Sequence, residues 1–320
     1  MRVDELVDGI LVGIGDRDAT FAIIDAHVTD GVHTTEVGDE RTVDALELLA
    51  GQTALQPLEV GEGRDLTALC EMETHIVVHA LDVENIVEVD ADKLAAELGR
   101  KLMLDSATIC HALTDEATCE KYGYDTATIA CMFIPNTYDI YWNVSLDKLL
   151  SRMKKESDKF WNFERTQKAK NMNLTPQQVI TLASIVDEET ANDGEKPMIA
   201  GMYYNRLMLR NAEYPEGMPL QADPTIKFAW KRFELKRIYN NLLSIRSPYN
   251  TYRNPGLPPG PIRIPTVAGI DAVLNHIHHD YLYMCAKEDF SGTHNFARTY
   301  SEHLDNAAKY SKALNERGIK

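Results

Sequence analysis

Apolar residues recur at helical spacing in several segments that follow residue 90. Leu94, Leu98 and Leu102 stand four residues apart, which predicts a short amphipathic helix over residues 92–102. Comparable patterns predict further helices at 106–113, 146–170, 197–207 and 300–317. Two strands of a short antiparallel sheet are expected at 281–286 and 293–297. The expected fold class is therefore α+β, mainly helical with a small antiparallel sheet.

The helix predicted to follow Thr175 has a well-defined start signal. Thr175 suits the N-cap position, Pro176 suits the first helical position, and Gln178 stands where a capping-box partner is needed. The apolar residues of this helix fall on one face at 100° per residue; they are Val179, Leu182, Ile185 and Val186. That face is expected to pack into the protein core.

Glu189 continues this apolar face by one turn, within about 20° of Leu182. A carboxyl group that loses water on burial has a raised pKa, and a raised pKa is what a general acid needs near neutral pH. The helix alone leaves a second interpretation open, a buried ion pair between Glu189 and Arg206 on the following helix. Asp187 and Glu188 point away from the apolar face.

A proline-rich loop lies downstream of this helix. Six of the 13 prolines lie from Pro248 to Pro265, and each proline fixes its φ and stiffens the loop. Tyr, Asn and Thr interleave with these prolines and suit carbohydrate, because flat rings cover sugar faces and amides bind hydroxyls. A linker would lack this interleaving, so a binding loop is the favoured interpretation. Between the helix and the loop, Asp223 is predicted to cap a helix that Pro224 opens.

The charge of the chain is concentrated in its first 90 residues. The chain has 33 Lys and Arg against 49 Asp and Glu, a formal net charge of −16. Residues 1–90 contain 21 acidic residues, four Arg and no Lys, whereas the remaining residues net to +1. The overall balance argues against a nucleic-acid partner and against docking on an anionic membrane surface.

The acidic segment 1–90 contains no Tyr, no Trp and no chemical motif. Two interpretations of it stay open, a divergent acidic β-rich module or a stretch of wrongly assigned reading frame ahead of the true gene. No segment of the chain reaches the ~18–20 consecutive apolar residues of a membrane span, and the first residues do not form a signal peptide. A soluble chain is the expectation that follows.

The cysteines and histidines do not predict a metal site. The five cysteines form no CxxC pair and are expected to be buried free thiols, at positions 70, 110, 119, 131 and 285. His276, His278 and His279 have only Asp280 as a neighbouring acid, which favours a solvated helix end over a ligand set.

Several motifs match a known family in the same order along the chain. They occur at residues 133–138, 183–190 (ASIVDEET), 204–207 (YNRL), 218–225 (MPLQADPT), 247–252, 256–262, 281–283 and 292–296. In these motifs the chain resembles the endolytic murein transglycosylases, the MltG/YceG-like family. The resemblance runs over about residues 91–318 and does not extend to residues 1–90.

This resemblance implies a peptidoglycan lytic transglycosylase that cuts the β-1,4 bond between N-acetylmuramic acid and N-acetylglucosamine in nascent glycan strands. It assigns the catalytic role to Glu189, as acid and then base, and the products would be 1,6-anhydromuramic acid ends. The chemistry calls for no metal and no organic cofactor. Most members have Glu where this chain has Asp187, which is not expected to be essential because it points off the apolar face.

Motif match and residue type also indicate residues that contact the sugar. These candidates are Asn205, Gln221, Asp223, Thr225, Tyr249, Asn250, Tyr252 and His294. A helix-capping role for Asp223 and a structural hydrogen bond in the hairpin for His294 are the alternatives that remain open.

The resemblance further implies a domain organisation and a location. Residues 1–90 would be the acidic segment, 91–165 a small LysM-like module, and 166–320 the catalytic domain. The family is normally anchored in the inner membrane and faces the periplasm, with glycan strands as substrate and cell-wall synthases as protein partners; its anchor helix is missing from this sequence. Two rival functions stay open, a true glycan hydrolase and a non-catalytic peptidoglycan-binding scaffold of the cell-wall synthesis machinery.

Overall fold

Residues 77–78, 90–235 and 237–318 are described by a computed structural model of the chain. The helices and strands, in chain order, are β1 (Val77–Val78), α1 (Ala91–Lys101), α2 (Ser106–Thr114), α3 (Glu116–Lys121), β2 (Ile140–Tyr141), α4 (Leu146–Phe160), α5 (Phe163–Asn171), α6 (Pro176–Glu189), α7 (Lys196–Met208), α8 (Asp223–Trp230), α9 (Val267–Leu274), β3 (Tyr283–Ala286), β4 (His294–Ala297) and α10 (Tyr300–Glu316). This mixture of helices and a small antiparallel sheet confirms the α+β fold class.

The described residues belong to two compact units. One unit contains 77–78, 95–109 and 137–149, and the other contains 90–94, 110–136, 150–235 and 237–318. In the first unit, β1 and β2 pair antiparallel, with Val77 opposite Tyr141. The predicted LysM-like module therefore contributes residues to both units, and its LysM-like character stays a prediction. The two interpretations of segment 1–90 fall almost entirely outside the described residues.

The core of the second unit forms around α6. Thr175 and Gln178 form the predicted capping box, with the Gln178 N–H donating to Thr175 Oγ1 at 3.2 Å and the Thr175 N–H donating to Gln178 Oε1 at 2.8 Å. The predicted apolar face is fully buried, at Val179, Leu182, Ile185 and Val186. Helices α7, α8 and α9 pack against α6, so the C-terminal end of α6 lies among the elements that carry the candidate site.

One predicted helix is two helices in the structure. The charged segment 146–170 divides at Trp161, and Asn162 starts α5 by accepting a hydrogen bond from the Arg165 N–H at 3.0 Å. Asn is a strong N-cap residue, because its side-chain oxygen satisfies a free backbone N–H at a helix start. The charge pattern continues across this break, which is why the periodicity alone did not predict it.

Strands β3 and β4 form an antiparallel hairpin, with Tyr283 opposite Ala297 and Ala286 opposite His294. The predicted strands were two residues and one residue longer at their N-terminal ends. Helix α10 follows the hairpin, starts at a capping box between Thr299 and Glu302, and packs on both strands. The hairpin and the start of α10 together form one wall of the cleft described below.

Two smaller expectations are only partly met. Of the cysteines that the structure describes, Cys119 and Cys131 are buried, whereas Cys110 and Cys285 are half-buried; all four are free thiols. His276 is not part of a solvated helix end, because its ring packs 4.6 Å from the Tyr204 ring.

Within the described ranges, no helix has the length and hydropathy that a membrane span requires.

Candidate active site

Glu189 is the last residue of α6 and lies in a cleft of about 430 Å³. The cleft brings together residues from α6, α7, α8, the hairpin and α10; its polar lining includes Tyr203, Arg206, Gln221, Asp223, Tyr252 and His294. Side chains of Tyr, Gln, Asp, Arg and His in one concave surface give both flat rings and hydrogen-bonding groups. Such a lining suits a carbohydrate.

Among the described residues, the carboxyl group of Glu189 has one close hydrogen-bond partner. Tyr203 Oη on α7 donates to Glu189 Oε1 at 2.6 Å. Burial raises the pKa of Glu189 to about 7, the negative charge of Asp223 adds to the increase, and the Tyr203 hydrogen bond opposes it. A carboxyl group with this pKa is present in both protonation states near neutral pH, so it can give and take a proton.

The alternative ion pair between Glu189 and Arg206 is wrong. The buried Arg206 guanidinium donates to the backbone carbonyls of Leu282, at 2.5 Å, and Leu220, at 2.6 Å. These bonds tie α7 to the segments on either side of the cleft. Glu189 is left with a phenol as its partner, and a phenol does not hold a carboxylate ionised as strongly as a guanidinium does.

Asp223 does not cap a helix as predicted. Ala222 occupies the N-cap position of α8 without a side-chain cap, and Asp223 is the first helical residue. Its carboxylate faces the cleft and accepts a hydrogen bond from Tyr252 Oη at 2.5 Å. The cleft therefore contains a second carboxyl group beside Glu189.

Gln221 and His294 also line this cleft. Gln221 has a left-handed backbone, with φ 51°, and its N–H donates to the Thr251 carbonyl at 3.0 Å, which fixes where its side chain leaves the loop. His294 on β4 is bound by the buried Glu195: the His294 N–H donates to Oε1 at 2.7 Å and Nδ1 lies 3.0 Å from Oε2. His294 therefore has a structural hydrogen bond, but its partner lies just before α7 and not in the hairpin as the alternative had it; its ring also lines the cleft.

Asn205 and Thr225, two of the predicted sugar contacts, do not line this cleft. Asn205 Nδ2 donates to the carbonyls of His279, at 2.6 Å, and Tyr281, at 3.0 Å. Thr225 is fully buried, and its Oγ1 donates to the Ala222 carbonyl at 2.6 Å. The side chains of both residues bind backbone carbonyls of the protein, so their predicted contact with the sugar has no support from this geometry.

Asn250 and Tyr249 in the proline-rich loop also have structural partners. Asn250 is fully buried and Nδ2 donates to the carbonyls of Leu243 and Ile245, both at 2.9 Å. The Tyr249 ring packs 4.6 Å from the Phe228 ring of α8, and burial raises its pKa to about 12. Both residues hold the loop in shape, and only Tyr252 extends from this part of the loop into the cleft.

Asp187 lies away from the cleft, as expected, but it is deeply buried. Its side chain is 1% exposed, forms an ion pair with Lys196 Nζ at 2.8 Å, and accepts a hydrogen bond from the Thr266 N–H at 2.6 Å. Asp187 therefore joins the end of α6 to the start of α7 and the start of α9. This is a structural role that the expectation for Asp187 did not include.

Sequence reasoning missed several residues of the cleft. Tyr203 and Arg206 lie three residues apart on one buried face of α7, and this spacing was the available signal. Tyr283 lies in the motif at 281–283 but was not among the sugar-contact candidates, and no local pattern connects Tyr300 and His303 of α10 to Glu189. In the part of the chain that the structure describes, no group of three or more His, Cys, Asp or Glu side chains is arranged to hold a metal ion.

Comparisons with known proteins give similarities in sequence and in fold. A family model described as "YceG-like family" matches residues 30–309. A Bacillus subtilis protein named endolytic murein transglycosylase is 33% identical over 175 residues, which are 55% of this chain and 46% of the relative. A Streptococcus pneumoniae protein of the same name is 32% identical over 180 residues, 55% of this chain and 31% of the relative. The chain thus spans less than half of the length of these relatives.

A crystal structure described as a yceG-like protein from Listeria monocytogenes has the same fold. It superposes with a TM-score of 0.56 at 22% sequence identity, covering 82% of this chain and 80% of that one. The family match begins at residue 30. The motifs had indicated a start near residue 91, so part of the acidic segment belongs to the matched region, contrary to the expectation.

Proposed function

Because the chain belongs to the YceG-like family, we propose that it is a peptidoglycan lytic transglycosylase in which Glu189 is the acid and then the base. The substrate would be glycan strands of nascent peptidoglycan, cut at the β-1,4 bond between N-acetylmuramic acid and N-acetylglucosamine. The relatives named endolytic murein transglycosylase support this reaction class. The observation that carries the proposal is the Glu189 carboxyl group in the cleft, with its pKa raised to about 7.

The proposed reaction needs one carboxyl group and no water. Protonated Glu189 gives its proton to the glycosidic oxygen, and the bond from that oxygen to C1 of the muramic acid breaks. The 6-hydroxyl oxygen of the same sugar then bonds to C1, and its proton returns to the Glu189 carboxylate. The products are a 1,6-anhydro ring and a free 4-hydroxyl group, and Glu189 ends protonated as it began.

The Tyr203 hydrogen bond supports this assignment. Tyr203 Oη donates a hydrogen bond to Glu189 Oε1 at 2.6 Å. This leaves Oε2 as the oxygen that exchanges the proton with the substrate. A group that acts first as acid and then as base works best when its pKa is near the operating pH. A pKa of about 7 satisfies this condition, whereas an ordinary exposed Glu would be almost entirely ionised.

The sugar contacts that we retain are those that line the cleft with Glu189. They are Gln221, Asp223, Tyr252 and His294. Asp223 and Tyr252 act as a unit through their 2.5 Å hydrogen bond, and an N-acetyl group that assists the reaction would be oriented by such a pair. We assign Asn205, Thr225, Tyr249 and Asn250 to shaping the cleft, because their side chains bind or pack against other parts of the protein.

A glycan hydrolase is the second candidate, and Asp223 is the observation that favours it. Hydrolases of glycosidic bonds use two carboxyl groups, and the cleft contains both Glu189 and Asp223. The product ends separate the two reactions. A hydrolase leaves reducing ends, which are heavier by one water than the anhydro ends that we propose.

The proposed function is tested by digestion of purified glycan strands and mass spectrometry of the ends. We expect the wild-type chain to release anhydromuramic acid ends and Glu189→Gln to release them at least about 100-fold more slowly. Glu188→Gln is the matched control, because Glu188 is adjacent, faces Arg263 at 3.0 Å and does not line the cleft. Wild-type rates in Glu189→Gln would contradict the proposal. Strand binding without any release by the wild type would support the non-catalytic scaffold.

A location in the cell envelope follows from the proposed substrate, because peptidoglycan is an envelope polymer. The inner membrane and its periplasmic face are the location that we propose from the family, with cell-wall synthases as protein partners. Cross-linking in intact cells tests this placement. We expect cross-links to envelope proteins, and exclusively cytosolic cross-links would contradict it.

A further inference from the structure

Three aromatic rings form one wall of the cleft that contains Glu189. Tyr283 lies on β3, and Tyr300 and His303 lie on the first turn of α10. The His303 ring is stacked on the Tyr283 ring, with centroids 5.6 Å apart and an interplanar angle of 26°. The Tyr300 ring lies 5.8 Å from Tyr283 and 6.0 Å from His303. We refer to these three residues as the aromatic wall.

The aromatic wall is held in place by the protein around it. The Arg206 guanidinium lies 5.3 Å from the centroid of the Tyr283 ring, and backbone carbonyls fix the guanidinium. The Thr299–Glu302 capping box fixes the start of α10, from which Tyr300 and His303 extend. Rings that are already ordered lose little conformational entropy when they bind a ligand, which favours affinity.

The His303 imidazole is an uncharged part of the aromatic wall. Burial lowers its pKa, and the nearby Arg206 charge lowers it further, so the ring is neutral at pH 7. Its Nδ1 is buried and has no hydrogen-bond partner among the residues that the structure describes. A neutral aromatic ring on the wall of a cleft is suited to contact with an uncharged ligand.

Tyr300 is the exposed edge of this wall, with 59% of its surface accessible. An aromatic ring that stays exposed beside ordered rings in a cleft offers apolar surface for a ligand to cover. We propose that Tyr283, Tyr300 and His303 form a sugar subsite, in which the apolar face of an N-acetylhexosamine ring of the glycan strand stacks on the Tyr300 edge of the aromatic wall. This subsite rests on the proposed function, because the strand that it binds is the one that Glu189 would cut.

The first experiment measures binding without turnover. In a chain that carries Glu189→Gln, we expect Tyr300→Ala to weaken binding of soluble glycan strands about tenfold in a fluorescence titration, whereas Tyr300→Phe keeps the ring and most of the affinity. Tyr239→Ala is the matched control, because Tyr239 is also 59% exposed and lies outside the cleft. Equal affinities of Tyr300→Ala and Tyr239→Ala would overturn the subsite.

The second experiment separates failure of the subsite from failure of the proposed function. In the otherwise wild-type chain, Tyr300→Ala is expected to raise KM about tenfold and to leave kcat within about twofold, because stacking at a distance from the bond acts on binding. If the wild type forms anhydro ends and the KM of Tyr300→Ala equals that of the wild type, the subsite alone is overturned. A wild-type chain that forms no anhydro ends would overturn the proposed function, and the binding titration would still decide the subsite.

Discussion

The neighbours of Glu189 act on its pKa in opposite directions. Burial is the main reason that this pKa is raised, and the Asp223 carboxylate adds to the effect, whereas the Tyr203 hydroxyl favours the ionised form. The protonated form starts the proposed reaction, so the activity should fall as the pH rises through about 7. Two single substitutions should move this fall in opposite directions.

Tyr203→Phe removes the hydroxyl that donates to Glu189 and keeps the buried ring. The ionised carboxylate loses a hydrogen bond, so the pKa of Glu189 rises further and the alkaline limb of the kcat/KM profile should move to higher pH. The measurement is the pH–rate profile of wild type and variant on the same glycan strands. A limb that stays in place or moves to lower pH contradicts the role of this bond.

Asp223→Asn removes a negative charge from the cleft and keeps an acceptor for Tyr252. The pKa of Glu189 should fall, which moves the alkaline limb of the profile to lower pH, and anhydro ends should still form. The same pH–rate profile and the mass of the product ends provide the check. Loss of activity at every pH, together with reducing ends from the wild type, would instead indicate a hydrolase that needs both carboxyl groups.

Glu189 should also reduce the stability of the protein at neutral and alkaline pH. The unfolded chain loses the Glu189 proton near pH 4.5, whereas the folded chain holds it to about 7, so the free energy of unfolding falls as the pH rises between these values. Glu189→Gln should therefore be more stable than wild type at about pH 8, by about 1–3 kcal/mol, and similar at about pH 4. Urea unfolding at both pH values measures this difference, and a less stable variant at pH 8 contradicts it.

Helical periodicity was sufficient to predict the position of Glu189, because that position depends only on the spacing along α6. Its partner could not be predicted in the same way. Tyr203 and Arg206 both lie on the buried face of α7, but the Arg206 guanidinium donates to the carbonyls of Leu220 and Leu282 instead of to Glu189. Those carbonyls belong to segments distant in the sequence, so the choice between a phenol and a guanidinium is a property of the tertiary structure.

At the scale of elements, the site depends on how α6 is joined to its neighbours. The Asp187 carboxylate lies under the first turn of α9, and a Cβ atom at Gly269 would stand only 2.3 Å from Asp187 Oδ1. The close approach of α9 therefore requires glycine at this position. Lys196 at the start of α7 neutralises the buried Asp187, and the adjacent Glu195 holds His294.

Lys196→Met should destabilise the protein strongly. Lys196 and Asp187 have side chains only 5% and 1% exposed, so the substitution leaves a buried carboxylate without its cation, which costs about 3–5 kcal/mol. Arg263→Met is the contrasting variant, because the Arg263–Glu188 pair is 16% and 29% exposed and should contribute about 1 kcal/mol or less. Urea unfolding measures both, and equal losses would contradict the buried pair.

The elements themselves were predictable where local signals decide them. The capping boxes at Thr175 and Thr299 fix the starts of α6 and α10, and the predicted helices agree there. The helix break at Asn162 was missed because polar residues continue on both sides of it. Asp223 was predicted to be a cap, but a phenol from the proline-rich loop binds its carboxylate, and a contact over 29 residues has no local signal.

At the scale of the whole molecule, the net charge of −16 gives little information about the cleft. The acidic residues are concentrated in the first 90 positions, and the family match includes this region only from residue 30 onward. The cleft lies in the nearly neutral remainder and presents phenol rings, an amide, a guanidinium, two imidazoles and two carboxyl groups. These groups suit a sugar polymer, which is recognised through its faces and hydroxyls.

The central claim is that Glu189 cleaves the glycan strand by proton transfer without consuming water. Digestion of glycan strands by the full chain in water enriched in oxygen-18 tests it most directly, with mass spectrometry of the new ends. The account predicts anhydromuramic acid ends that contain no heavy oxygen and are one water lighter than reducing ends. Reducing ends that carry oxygen-18 would contradict it and would identify the chain as a hydrolase.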